Sequence, residues 1–228
     1  MGELQHEAFQ FTFNGFLKVA FQGSRITSDA GLLLVRELDE RLGLATLISE
    51  HLSDSRQGLN TQFGLVDLLR QSVYSRLAGY EDTNDAERLS VDPVMRRIVG
   101  GRATEKTAAS TSQVGRFETE VLVDSDNLAQ LMDLLGRWID QVRCRTTVNE
   151  IILDMDSSVS PTHGQQEGTA YNGHFECTCY HPLFCFNQFG DCEGAVLRPG
   201  NVHSADGGEK FIEPIVERYL NMSGRLLF

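Results

Sequence analysis

Two aspartates stand two residues apart where an apolar run ends, Ile151-Ile152-Leu153-Asp154-Met155-Asp156. In a strand, side chains two apart share a face, so Asp154 and Asp156 face the same way just before the turn-rich stretch 157–168. Hard divalent ions such as Mg²⁺ take carboxylate oxygens. Phosphodiester cleavage at neutral pH gains from two such ions held roughly 3.5–4 Å apart. The competing reading is a strand end that solvates well and starts a turn, as aspartates often do.

Other groupings carry less chemistry. Cys177, Cys179, Cys185 and Cys192 lie near His174 and His181, the elements of a zinc module over 174–192. No Cys-x-x-Cys pair occurs, however, and Cys177-Thr178-Cys179 has strand spacing, so packing is the favoured reading. The loop from Gly200 to Gly208 lacks the Gly-Lys-Ser/Thr ending of a phosphate cradle and reads as a turn leading into a capped helix. His203 and Asp206 beside a serine come without a Gly-x-Ser-x-Gly elbow, which argues against a serine hydrolase. Arg96, Arg97 and Arg102 follow a helix, turn and helix pattern, compatible with DNA contact or with a plain solvated face.

These residues need elements to position them. Alternation over Phe9 to Phe13 and Phe16 to Phe21 around Asn14-Gly15 predicts a hairpin with a type I′ turn. Helices are expected from Thr27 or Ser28, with Leu32, Leu33, Val35, Leu38 and Leu42 as the apolar face, and over 44–52. A longer helix is expected over 61–77, with Phe63, Val66, Leu69, Val73 and Leu77 on its buried side and Gly79 as its stop. Short helices follow at 80–89 and from Asp92-Pro93. The polar run 100–113 reads as a linker or mobile loop, and a last helix spans 126–144. Texture changes near residue 147, which divides a mainly helical region, 1–147, from 148–228. The second part reads strand, strand (175–187), strand (192–197), helix (206–221), then a strand starting at Arg225. The fold class is α/β, and this order is that of the first part of a ribonuclease-H-like mixed sheet.

The chain has 228 residues, 41% of them hydrophobic, enough for one large domain or two small ones. No run approaches the roughly 18 apolar residues of a membrane span, and five cysteines, an odd count with four of them in the last third, do not suit a secreted disulfide framework. The expected location is therefore the cytoplasm, away from membranes. A net charge of −12 weighs against a nucleic-acid partner. Residues 149–228 hold 4 basic and 11 acidic side chains, against 16 and 21 in 1–148. An acidic excess there is what metal ions would neutralise.

Four segments together resemble a known family. They are Ile26-Thr27-Ser28-Asp29-Ala30-Gly31-Leu32-Leu33-Leu34; Gly79-Tyr80-Glu81-Asp82-Thr83-Asn84-Asp85; Leu153-Asp154-Met155-Asp156-Ser157-Ser158 with His163-Gly164-Gln165-Gln166-Glu167; and Leu197-Arg198-Pro199-Gly200-Asn201. In that order they are similar to DDE transposases of bacterial insertion sequences, in particular the group named for insertion sequence 1380. The resemblance implies metal-dependent cleavage and strand transfer of DNA with two Mg²⁺ or Mn²⁺ ions, acting on double-stranded element ends and target as a homo-oligomer. It makes Asp156 the first acid of the catalytic triad and ranks Asp154 second. The family's second aspartate and its glutamate would lie beyond Phe228, so a truncated and by itself inactive polypeptide is expected. The alternative is a non-catalytic DNA-binding or transposition-regulating remnant.

Overall fold

The computed structural model describes residues 9–19, 29–57, 61–144 and 150–223, in two units, 1–128 and 129–228. The boundary expected near 147, the helix cap at Thr27 or Ser28 and the strand expected from Arg225 lie outside the described residues.

The first unit opens with the expected hairpin, β1 (Phe9–Gln10) antiparallel to β2 (Lys18–Val19). Its turn differs from expectation. Gln10 pairs with Lys18, so the seven residues Phe11–Leu17 close the hairpin, and Gly15 is not among the described glycines with positive φ that a type I′ turn requires. Instead Asn14 holds the bend, its carbonyl accepting from Leu17 N–H (3.1 Å) and its Oδ1 from Phe16 N–H (3.1 Å). This asparagine-centred closure lets the chain turn without a left-handed glycine.

Helices α1 (Leu32–Arg41), α2 (Leu44–His51) and α3 (Leu65–Leu77) follow, with left-handed Gly43 separating the first two. The buried faces of α1 and α3 follow the expected apolar stripes only in part: Leu32 and Leu69 are buried as expected, while polar residues take other buried places. Helix α1 buries Leu32, Arg36, Glu37 and Asp39 and leaves Leu38 exposed; α3 buries Leu68, Gln71 and Tyr74 and leaves Val73 and Leu77 exposed. The reason is polar pairing inside the unit. Arg70 donates two bonds of 2.8 Å to Asp39, Tyr74 also donates to Asp39, and Glu37 accepts from Thr12 and Arg41. A buried charge is tolerated only when so satisfied, and here partners from β1–β2, α1 and α3 satisfy one another. Gly79 (φ 86°) ends α3 as expected, and Tyr80 N–H bonds back to Ser75 O at 2.9 Å.

A 3₁₀ turn, Thr83–Asp85, leads to α4 (Ala86–Leu89); α5 (Pro93–Val99) begins at the N-cap Asp92, whose carboxylate accepts from Met95 N–H. The run 100–113 is not a linker. It forms α6 (Arg102–Glu105) and enters α7 (Thr111–Arg116), with Ala103, Ala108 and Ala109 buried. Gln71 grips this run through Ala109, its amide donating to the carbonyl and accepting from the N–H, both at 2.8 Å. Alanine supplies small, apolar contacts that a reading of polar composition overlooks. Helix α7 continues into a π-helical turn, Phe117–Val121, and α8 (Ser125–Arg143) starts in this unit and ends in the next.

In the second unit an antiparallel sheet has the order β3 (Leu153–Ser157), β7 (Leu183–Asn187), β8 (Cys192–Val196). A separate small sheet has the order β4 (Ser160–Pro161), β6 (Cys177–Tyr180), β5 (Ala170–Asn172). The single strand expected over 175–187 is therefore two. His181-Pro182 breaks it, since proline has no N–H for a ladder, and the halves join different sheets. Helix α9 (Gly208–Ser223) packs Phe211, Ile215 and Tyr219 on Leu183 and Cys185. Between Cys185 and Phe186 the β7–β8 register shifts, making Glu193 an extra residue of β8. Glu193 is fully buried and accepts from Asn187, Arg218 and Tyr219, while Arg218 also pairs with Asp140 of α8. One carboxylate thus ties β7, β8 and α9 together, and α8 joins through Arg218.

Candidate active site

Among the described residues strand β3 has β7 as its one strand neighbour, Asp154 opposite Phe186 and Asp156 opposite Phe184. Period-two alternation puts Leu153, Met155 and Ser157 on the face shared with Leu183, Cys185 and α9. Asp154 and Asp156 therefore share the other face, with Phe184 and Phe186. Both aspartates are exposed, and neither carboxylate has a hydrogen bond or ion pair among the described residues. Their Cα atoms stand about 7 Å apart along the strand. Among the described residues no group of three His, Cys, Asp or Glu comes together.

Asp156 lies one residue from the end of β3, and Ser158 N–H extends the pairing to Pro182 O at 3.1 Å. At this same end of the sheet a buried arginine organises the chain. His181 N–H donates to Arg198 O and Arg198 Nε donates back to His181 O, each at 2.9 Å. Arg198 Nη1 also donates to the carbonyls of Ser204 (3.1 Å) and Asp206 (2.7 Å) in the loop before α9. His181 Nδ1 lies 3.1 Å from Val202 O. Sequence reasoning quoted Arg198 within a motif but gave it no role. Its signal was an arginine beside Pro-Gly in an otherwise acidic segment.

His163 to Glu167 form an exposed turn tied by Tyr180 Oη to Glu167 O at 2.5 Å. His203 and Asp206 pair within their own loop, Asp206 Oδ2 accepting from His203 N–H. All five cysteines are free; burial pushes the Cys179 thiol up, and burial with the nearby Glu193 charge pushes Cys185 up to about 11. Among the described residues these thiols do not gather with histidines or carboxylates into a group that could hold zinc. In the first unit Arg96 is committed to the carbonyls of Ala103 (2.9 Å) and Thr104 (3.1 Å). Arg97 and Arg102 are exposed and have no partner among the described residues.

The chain matches the family described as "Transposase DDE domain group 1" over residues 9–225, nearly its whole length. It belongs to that DDE transposase family, whose members act on DNA and generally use divalent metals. No curated protein and no solved structure matches the chain. No helix among the described residues is long and apolar enough to cross a membrane.

Proposed function

We propose that this chain is a transposase of a bacterial insertion sequence of the insertion sequence 1380 group. In this reading it contributes Asp154 and Asp156 to a site that cleaves phosphodiesters at the element ends and joins the freed 3′ hydroxyl to target DNA. The observation that carries this reading is the pair Asp154 and Asp156, exposed, unpartnered and on one face of β3, within a chain that matches the family over residues 9–225. Asp156 is the principal ligand and Asp154 its neighbour. Bound Mg²⁺ or Mn²⁺ would supply Lewis-acid activation of the attacking oxygen and charge stabilisation of the leaving one. Two ions take more carboxylate oxygens than β3 alone offers, so further acidic ligands complete the site.

The second unit is read as ribonuclease-H-like. Supporting this are the antiparallel sheet β3-β7-β8, which β4, β5 and β6 interrupt in sequence, and the helix α9 that follows and covers one face. DNA contact in the first unit falls to Arg97 and Arg102, while Arg96 fixes the turn that carries Arg102. The protein works where the DNA is, in the bacterial cytoplasm, as a homo-oligomer on double-stranded DNA.

The test is transposition of a marked element in cells. Asp156→Ala in the encoding gene is expected to lower transposition by about a thousandfold or more, with protein level and melting temperature unchanged. Transposition at the unaltered rate would overturn the reading.

A further inference from the structure

The first unit holds a cleft of about 640 Å³ that the chemistry at β3 does not use. Its size falls within the range of about 300–1,000 Å³ typical of small-ligand sites. Phe63, Leu68 and Phe117, all buried, form its floor. Its rim is polar, with Gln57, Thr61 and Gln62 on one side and Gln113, Arg116 and Glu120 on the other. Gln57, Thr61 and Gln62 are exposed and have no hydrogen-bond partner among the described residues. Arg116 spends only Nε, on Ser112 O at 3.2 Å, and Gln113 spends only its carbonyl oxygen, on Ser110.

The wall carrying Arg116 and Glu120 is where α7 passes into the π-helical turn, with Leu122 N–H bonded to Phe117 O at 3.0 Å. Isolated π-turns cost hydrogen-bond geometry and concentrate at functional sites. The rim holds one uncommitted cation, Arg116, and one free carboxylate, Glu120, because Arg56 is held by Asp54 at 2.6 Å. A charge-balanced rim is a poor trap for a bare phosphate, which needs net positive charge. Free amides, a hydroxyl, a guanidinium and a carboxylate instead match the donor and acceptor edges of a nucleobase, which glutamine, arginine and glutamate read in the major groove.

We propose that this cleft receives one unpaired nucleotide of the DNA substrate, its base edge read by Gln57, Gln62, Arg116 and Glu120. The proposal rests on the reading of the chain as a DNA transposase and adds a base-specific site remote in sequence from Asp156.

The test uses the full chain and two DNA duplexes, one fully paired and one with a single unpaired 5-iodouracil. Photocrosslinks mapped by mass spectrometry are expected at Gln57, Thr61 or Gln62 or in residues 113–120. The double variant Gln62→Ala with Arg116→Ala, both exposed positions, is expected to lose about 5- to 10-fold in affinity for the bulged duplex. It should bind the paired duplex as the unaltered chain does and melt at the same temperature. Crosslinks confined to other segments, or undiminished binding of the bulged duplex by the double variant, would overturn the cleft assignment and leave the transposase reading standing. Failure of the unaltered chain to bind either duplex would overturn both.

Discussion

Arg70 of α3 and Asp39 of α1 meet through two hydrogen bonds of 2.8 Å, with Arg70 7% and Asp39 1% exposed. Tyr74 donates to the same carboxylate, and burial with that neighbouring charge pushes its hydroxyl pKa well up, so it remains a donor throughout the physiological range. Removing one member leaves the other charged and buried, which costs about 3–5 kcal/mol. Asp39→Ala or Arg70→Ala should destabilise the first unit by that amount in urea unfolding. Tyr74→Phe should cost about 1 kcal/mol.

Asp67 gives a pH dependence of the opposite sign from an ordinary salt bridge. Burial pushes its pKa above the usual 3.8, and the charges of Arg70 and Arg36 with the Gly64 N–H only partly offset that. A carboxyl with a raised folded pKa is held charged at a cost whenever the pH lies above that pKa. The cost is relieved as pH falls through the folded value toward 3.8. Asp67→Asn should therefore raise the melting temperature slightly at pH 7, with the advantage shrinking as the solution is acidified. Melting curves at pH 7, 5.5 and 4.5 check this, and an advantage that grows on acidification would contradict it.

Much of this was legible in sequence because local chemistry set it. The caps at Asp92-Pro93 and Gly79, the helix break at Gly43 and the strand carrying Asp154 and Asp156 stand where their residues place them. What was not legible depended on long-range polar pairing. The buried faces of α1 and α3 turn toward the Asp39, Arg70 and Glu37 network, whose partners are about 25 to 35 residues apart in the chain, and an apolar periodicity cannot register them. Likewise His181-Pro182 marks the break in 175–187, but which sheet each half joins follows from the strands that accept it. Arg198's reach to the carbonyls of the 203–206 loop has no periodic signature either.

Gly200 is required by close approach. A Cβ there would stand 2.5 Å from the carbonyl oxygens of Ala170 and Cys179 and 2.7 Å from Cys179 Sγ, while the Gly200 carbonyl accepts from Asn172 Nδ2 at 2.6 Å. Backbone atoms cannot move aside as a side-chain tip can. Gly200→Ala should cost about 1–3 kcal/mol and loosen β4–β6–β5, read as faster amide exchange at Thr162 and His181, whose N–H groups bond across this region.

Glu193 offers a parallel test in the second unit. Glu193→Ala strips Arg218, Tyr219 and Asn187 of a shared acceptor and should cost about 3–5 kcal/mol. Glu193→Gln, which keeps an acceptor but not the charge, should cost less.

The central claim is that Asp156 is a metal ligand, and metal rescue tests it most directly. Cleavage of DNA carrying the element ends is measured for the gene product and for its Asp156→Cys variant, each with Mg²⁺ and with Mn²⁺. A thiolate is a poor ligand for hard Mg²⁺ and a better one for Mn²⁺, so the account predicts that the variant loses cleavage with Mg²⁺ and regains a measurable part of it with Mn²⁺. Full cleavage by the variant with Mg²⁺, or loss with both ions in a protein that melts normally, would contradict it.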